Sequence, residues 1–203
     1  ASTDAIDNVV SSDSEHDTRI HGNIGFSYKM DDQQTFGARI GTSVEYDYTS
    51  ITGGLNYNWL SKNENTSIGL NAQAFIDQWE IYFPREIRRE VSLPTDKRQS
   101  YNASLSISQV LNKRMQVSVQ LEATYMNGLL STPFHRVYFA NQTLPDIERL
   151  PDSRLKIPIG LRLNIFPADA FILRTYYRFY FDDWGLRAHS MSLEVPIKIN
   201  TGL

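Results

Sequence analysis

The stretch that decides the fold is Arg154–Asp182, RLKIPIGLRLNIFPADAFILRTYYRFYFD. In its first half Leu155, Ile157, Ile159, Leu161, Leu163 and Ile165 take every second place, with Arg154, Lys156, Arg162 and Asn164 between them. After the interruption at Pro167–Ala170 the pattern resumes, with Phe171, Leu173, Tyr177, Phe179 and Phe181 set against Arg174, Arg178 and Asp182. Successive residues of a strand point to opposite faces, so a period of two marks β-structure rather than helix. Each run is also long. Globular strands average about 5–6 residues, whereas a tilted strand that crosses a bilayer needs about 9–11. The pair reads as a membrane-length hairpin, apolar on one face and basic on the other.

The same alternation runs outward in both directions. Toward the N-terminus it marks Arg19–Met30, Phe36–Tyr48, Ile51–Leu60, Ser67–Asp77, Tyr101–Leu111 and Met115–Met126, and toward the C-terminus Leu186–Asn200. No stretch approaches the roughly 20 consecutive apolar residues of a spanning helix. At 41% hydrophobic and 21% charged, the 203-residue chain has the composition of a soluble protein, but so does a barrel in which only alternate residues meet lipid. A net charge of −3 argues against nucleic acid as a partner. The absence of cysteine excludes disulfide frameworks, thiolate metal sites and cysteine nucleophiles.

The connections alternate in length. Asp31–Gln34, Lys62–Asn65, Asn112–Arg114 and Pro167–Ala170 are short and polar. On the other side lie a tight link near Thr49, long loops at 80–99 and 127–153, and Asp183–Gly185. Short periplasmic turns and long external loops are the outer-membrane pattern. Aromatics gather near both strand ends: Tyr28, Phe36, Tyr57, Trp59, Phe166 and Phe171 on the short-turn side, and Tyr46, Tyr48, Tyr101, Tyr125, Phe179 and Phe181 on the long-loop side. Two such belts are expected where lipid meets water. The expected fold is all-β, an antiparallel up-and-down transmembrane β-barrel whose strands occupy 18–200, with 1–17 as an external loop or linker. Nine strands are countable. Bacterial single-chain barrels use even numbers, so the count predicts the central part of a larger barrel.

Five blocks carry a family resemblance: ASTDAIDNVVSS (Ala1–Ser12), SYNASLSISQVLNKRMQ (Ser100–Gln116), LLSTPFHRVYF (Leu129–Phe139), LPDSRLKIPIGLRLN (Leu150–Asn164) and YYRFYFDDWGLRAH (Tyr176–His189). They resemble a Gram-negative outer-membrane protein family known only as a domain of unknown function. The last three blocks are the most specific, and family members are longer at both ends. The resemblance implies an outer-membrane barrel and supplies no activity.

Function must then be sought among inward polar residues. Arg154, Lys156, Arg162, Arg174 and Arg178 concentrate on two neighbouring strands, interleaved with Tyr176 and Tyr180. Folding about Ala168 is expected to set Arg162 opposite Arg174 and Arg154 opposite Asp182. Like charges directly opposed are destabilising, so this wall requires acidic partners or an anion. Inward acids are Glu45, Asp47, Asp77, Glu122 and Glu194, with Glu194 expected opposite Arg174 and Glu122 close to Lys156. An arginine wall facing carboxylates across a wet lumen would orient polar solutes or favour anions. The same charges, paired locally, would instead brace a plugged barrel. The mixed-sign loop at 80–99 suits a solvated surface or the phosphates of lipopolysaccharide.

No metal, cofactor or phosphate-loop motif is present, and His16, His21, His135 and His189 make no ligand-spaced pair. Ser131, Thr132, His135 and Asp146 could be assembled into a hydrolase, but loop residues of these types more often cap turns. The reading favoured is a non-enzymatic barrel of the bacterial outer membrane, a porin-like channel or the membrane sleeve of a transport or secretion assembly. The alternatives are a plugged scaffold for a lipoprotein or electron carrier and, third, a barrel hydrolase. Its partners would be outer-membrane lipid, lipopolysaccharide and another outer-membrane or lipoprotein subunit.

Overall fold

The computed structural model describes residues 18–81, 95–132, 136–140, 143–168 and 170–197. These form strands and turns, with no helix: β1 (Ile20–Lys29), β2 (Gln34–Val44), β3 (Tyr48–Leu60), β4 (Thr66–Glu80), β5 (Thr95–Asn112), β6 (Met115–Gly128), β7 (Arg136–Val137), β8 (Asp146–Ile147), β9 (Ser153–Ala168), β10 (Phe171–Asp182) and β11 (Arg187–Glu194). Nine of them build one sheet in the order β1-β2-β3-β4-β5-β6-β9-β10-β11. Every neighbouring pair is antiparallel, so the topology is an up-and-down meander. The short strands β7 and β8 pair only with each other, inside the long connection between β6 and β9. Among the described residues β1 and β11 do not pair, and the sheet is open there.

Register follows the hydrophobic pattern, because a slip of one residue would turn every side chain to the wrong face. The apolar residues line up in rows across the sheet, as in Tyr28–Phe36–Tyr57–Leu70–Leu105–Leu121–Ile159. Three aromatics in sequence at the start of that row form the belt on the short-turn side. A groove of about 920 Å³ crosses the middle of this face, floored by Ala38, Ala72, Ala74, Ala103 and Ala123 and flanked by Phe26 and Tyr125.

Burial is inverted relative to a water-soluble domain. Among the described residues Ile81 is the one buried hydrophobic side chain, whereas Ile24, Phe26, Ile40 and Met191 are more than half exposed. The buried polar residues are Ser43, Asp47, Ser50, Asp77 and Asp182. The polar face is the sheltered one.

The strand boundaries depart from the alternation in three places. The tight link lies at Glu45–Asp47, not at Thr49, which is inside β3. The Glu45 N–H donates to the Tyr48 carbonyl (2.7 Å) and closes this turn. Alternation ran on through Val44, Tyr46 and Tyr48 and concealed it. In consequence Tyr48 changes face: it shares the inward parity of Ser50 and does not belong to the lipid-side belt. Second, β5 starts at Thr95 and not at Tyr101, which shortens the expected loop at 80–99. Third, β11 ends at Glu194, with Ile197 bridging to Phe171 beyond it. The linker at 1–17, His16, His135, and Arg85, Glu86, Arg88, Arg89 and Glu90 of the charged loop lie outside the described residues.

Candidate functional site on the polar face

The hairpin of β9 and β10 does not have the register that its turn residues suggest. A bulge between Phe171 and Leu173 shifts the pairing, so Arg174 faces Asn164 and Tyr176 faces Arg162. The expected confrontation of Arg162 with Arg174 is therefore absent. The Arg162 guanidinium instead lies over the Tyr176 ring, 5.0 Å from its centroid, a cation–π contact. Gly160 makes room for this: a side chain there would press on the Tyr176 hydroxyl and ring edge at 2.9–3.2 Å. Arg174 pairs loosely with Glu194, directly across on β11, at 3.9 Å. The neighbouring Asn164 Oδ1 is buried without a hydrogen-bond partner.

Asp182 faces Lys156 in the register, and not Arg154 as expected. Arg154 reaches it diagonally, donating from Nε (3.0 Å) and from Nη2 to Oδ2. The Tyr180 hydroxyl donates to the same oxygen (2.8 Å), and the Leu186 N–H donates to Oδ1 (2.9 Å). The Arg154 guanidinium also covers the Trp184 ring at 4.3 Å.

The same four residue types meet again at the far side of this mouth. Asp77 accepts from Tyr48 Oη (2.8 Å) and Ser50 Oγ (2.7 Å) on Oδ1. On Oδ2 it accepts from Arg98 Nε (3.2 Å) and Nη2 (2.9 Å). Arg98 stacks over Trp79 at 4.5 Å. Two Asp–Arg–Trp–Tyr clusters thus stand at the long-loop end of the sheet. Sequence reasoning missed the Asp77 cluster because it placed Arg98 and Trp79 outside any strand. The signal was there: Arg98 and Ser100 continue the even-numbered polar parity of Asn102, Ser104 and Ser106.

The remaining expected site residues separate. Glu45 sits near the β2–β3 turn, 3.3 Å from Arg19, whose Nε donates to Ser43 (2.9 Å); it is not part of the β9–β10 wall. Glu122 does not reach Lys156. The pairing of β6 with β9 lapses around Pro158, which has no N–H to donate. Glu122 accepts instead from Asn102 Nδ2 (2.8 Å) and Thr124 Oγ1 (3.3 Å). Among the described residues Arg39, Lys156, Arg162 and Arg178 of the polar face make no ion pair.

In the long connection, Ser131 Oγ accepts the Leu150 N–H (2.9 Å), and Asp146 holds Arg149 (2.6 Å) and the Ile147 N–H (2.8 Å). Ser131 ties the start of the connection to its end, and Asp146 braces its own neighbours. Among the described residues no group of three or more His, Asp or Glu is arranged to hold a metal.

No curated protein matches the chain. Among solved structures it is similar to the β-domain of the Bordetella autotransporter Brka, at 16% identity, covering 88% of this chain and 75% of that one with a TM-score of 0.35. The family model described as "Protein of unknown function (DUF3570)" matches residues 5–81 and 68–203, and the chain belongs to that family.

Proposed function

We propose that this chain forms the wall of a bacterial outer-membrane β-barrel without enzymatic activity, a conduit for small hydrophilic solutes. The observation that carries the reading is the inverted burial: aliphatic and aromatic side chains outside, carboxylates and hydroxyls within. In water such a surface would be a far larger exposed apolar area than a monomer tolerates. In lipid it is the ordinary exterior of a spanning barrel, with outer-membrane lipid and lipopolysaccharide as its surroundings.

A wet lumen follows from the charges on the other face. Arg39, Lys156, Arg162 and Arg178 make no ion pair among the described residues. An unpaired cation in a dry interior costs several kcal/mol, so water and mobile anions are the natural company for four of them. A sleeve around a lipoprotein or another outer-membrane subunit is the second reading. It is favoured by the two braced clusters at the mouth, which would hold a rim rigid against a partner.

The test is planar-bilayer recording on the full-length protein after reconstitution, with insertion verified by protease protection. Discrete conductance steps are expected. Inserted protein that carries no current would overturn the conduit, and co-purification of a stoichiometric subunit filling the bore would establish the sleeve.

A further inference from the structure

We propose that Gln120, Arg162, Tyr176 and Arg178, gathered around Gly160 midway along the polar face, form a binding site for a small hydroxylated carboxylate. The proposal names a substrate class for the conduit and rests on that reading for its physiological sense. The site itself stands on separate observations.

The first is a gap with polar groups around it. Gly160 lies in the middle of β9, directly across from Arg178 on β10 and from Gln120 on β6. A Cβ at this position would lie 2.9 Å from the Tyr176 hydroxyl and 3.3 Å from Gln120 Oε1. Both oxygens therefore lean toward the glycine, Tyr176 from β10 and Gln120 from β6. Tyr176 reaches it from the next row of facing residues, where Arg162 covers its ring at 5.0 Å. Backbone pairing and side-chain contacts thus bring the four residues together from three neighbouring strands.

The second is what these groups lack. Arg162 and Arg178 make no ion pair among the described residues. Neither guanidinium, nor the Tyr176 hydroxyl, nor the Gln120 amide makes a side-chain hydrogen bond there. Each guanidinium keeps its five N–H donors. The ring of Tyr176 holds Arg162 in place without using any of them. Planar forks of this kind match the two oxygens of a carboxylate.

The third is the neighbourhood. Across β5, β6, β9, β10 and β11 the two rows of facing residues run from Ser106 to Ser190 and from Ser108 to Ser192. The two arginines are the only charges in them. The nearest acids on these strands lie beyond the rows and are engaged. Glu122, two residues from Gln120, accepts from Asn102 and Thr124. Glu194, two residues from Ser192, stands by Arg174. Asp182, four residues from Arg178, holds Arg154.

These surroundings select the ligand. Two guanidinium groups without acceptors call for an anion. Gln120 Oε1 can only accept, so a ligand that offers acceptors alone, as a phosphate dianion does, would set oxygen against oxygen at the gap. A carboxylate that also carries hydroxyl groups places its acceptors on the arginines and a donor on Gln120. Ser190 and Ser192, across from Arg178 and Tyr176 on β11, add hydroxyls at the side.

Gluconate is the probe. Binding to the full-length protein in detergent or nanodiscs would be followed by calorimetry, and chloride current through bilayers would be recorded with gluconate added. Saturable binding is expected, weakened about tenfold or more by Arg178→Gln, since a charged hydrogen bond is removed. Lys62→Gln, the same change of charge at the turn between β3 and β4, should leave it unchanged. Heat-modifiable electrophoretic mobility would confirm that both variants fold. Binding with no conductance would sink the conduit and leave the site standing. Conductance with no gluconate binding, or binding indifferent to Arg178→Gln, would overturn the site. Glucose bound as tightly as gluconate would overturn the carboxylate, and acetate or phosphate bound as tightly would overturn the hydroxyl contacts.

Discussion

Arg162 lies over the ring of Tyr176, two strand positions away from the arginine it was expected to confront. A bulge at the start of β10 makes the difference between a repulsive pair and an attractive one.

That register can be trapped chemically, because the chain has no cysteine of its own. Directly opposed residues have Cβ atoms about 4.5–5.5 Å apart, close to what a disulfide requires. Arg162→Cys with Tyr176→Cys should cross-link under mild oxidation in the membrane, and Arg162→Cys with Arg174→Cys should not. Efficient cross-linking of the second pair would show that the hairpin lacks its bulge.

Asp77 accepts four hydrogen bonds, as many as Asp182, and its loss should be felt. Asp77→Ala removes four hydrogen bonds and leaves Arg98 without its acid. Breaking a buried pair costs about 3–5 kcal/mol. Because the Arg98 side chain is 29% exposed, water recovers part of this and about 2 kcal/mol is expected. Urea unfolding in lipid vesicles measures it. A midpoint equal to that of the parent would mean that the cluster contributes nothing to stability.

Gly128 ends β6 with a φ of +105°, in a region that L side chains rarely adopt. A methyl group there would also run into the Lys97 carbonyl. Gly128→Ala should destabilise the fold by about 2 kcal/mol or more and loosen the start of the long connection. Proteolysis of that connection in intact vesicles should accelerate. An unchanged cleavage rate would show that the backbone relaxes without consequence.

At the opposite end, Lys29 donates to Asp32 across the β1–β2 turn at 2.6 Å. This hydrogen bond, followed by the charge of Lys29, holds the Asp32 carboxyl below the ordinary carboxylate range. A depressed value means that the contact helps the fold above that range and is lost as the pH falls through the lowered value. Carboxyl NMR titration should find the Asp32 midpoint below about 3.9 and rising toward it in Lys29→Gln. An identical midpoint in the variant would remove Lys29 as the cause.

The hydrophobic period made most of the sheet legible. Residues such as Leu155 through Ile165 can satisfy a two-sided environment in only one way, so strand existence and facing follow from the letters. What escaped was set by features without a period. Alternation through Tyr46 and Tyr48 hid the turn at Glu45–Asp47, and with it the inward side of Tyr48. The β9–β10 bulge moved the expected partners of Arg162 and Arg174. The clusters around Asp77 and Asp182 join residues from separate strands and, at Trp184, from a turn. No local signal in one stretch of sequence records such a meeting.

The inverted burial also bears on how the molecule comes to exist. A domain with a core can collapse in water first and travel afterwards. This sheet has no inside into which Ile24, Phe26, Ile40 and Met191 could withdraw. Its long antiparallel ladders would expose unpaired edges while they formed. On the conduit reading, its ladders would form against acyl chains or detergent and not in water. Diluted from urea into plain buffer it should aggregate; diluted into detergent micelles it should acquire its sheet.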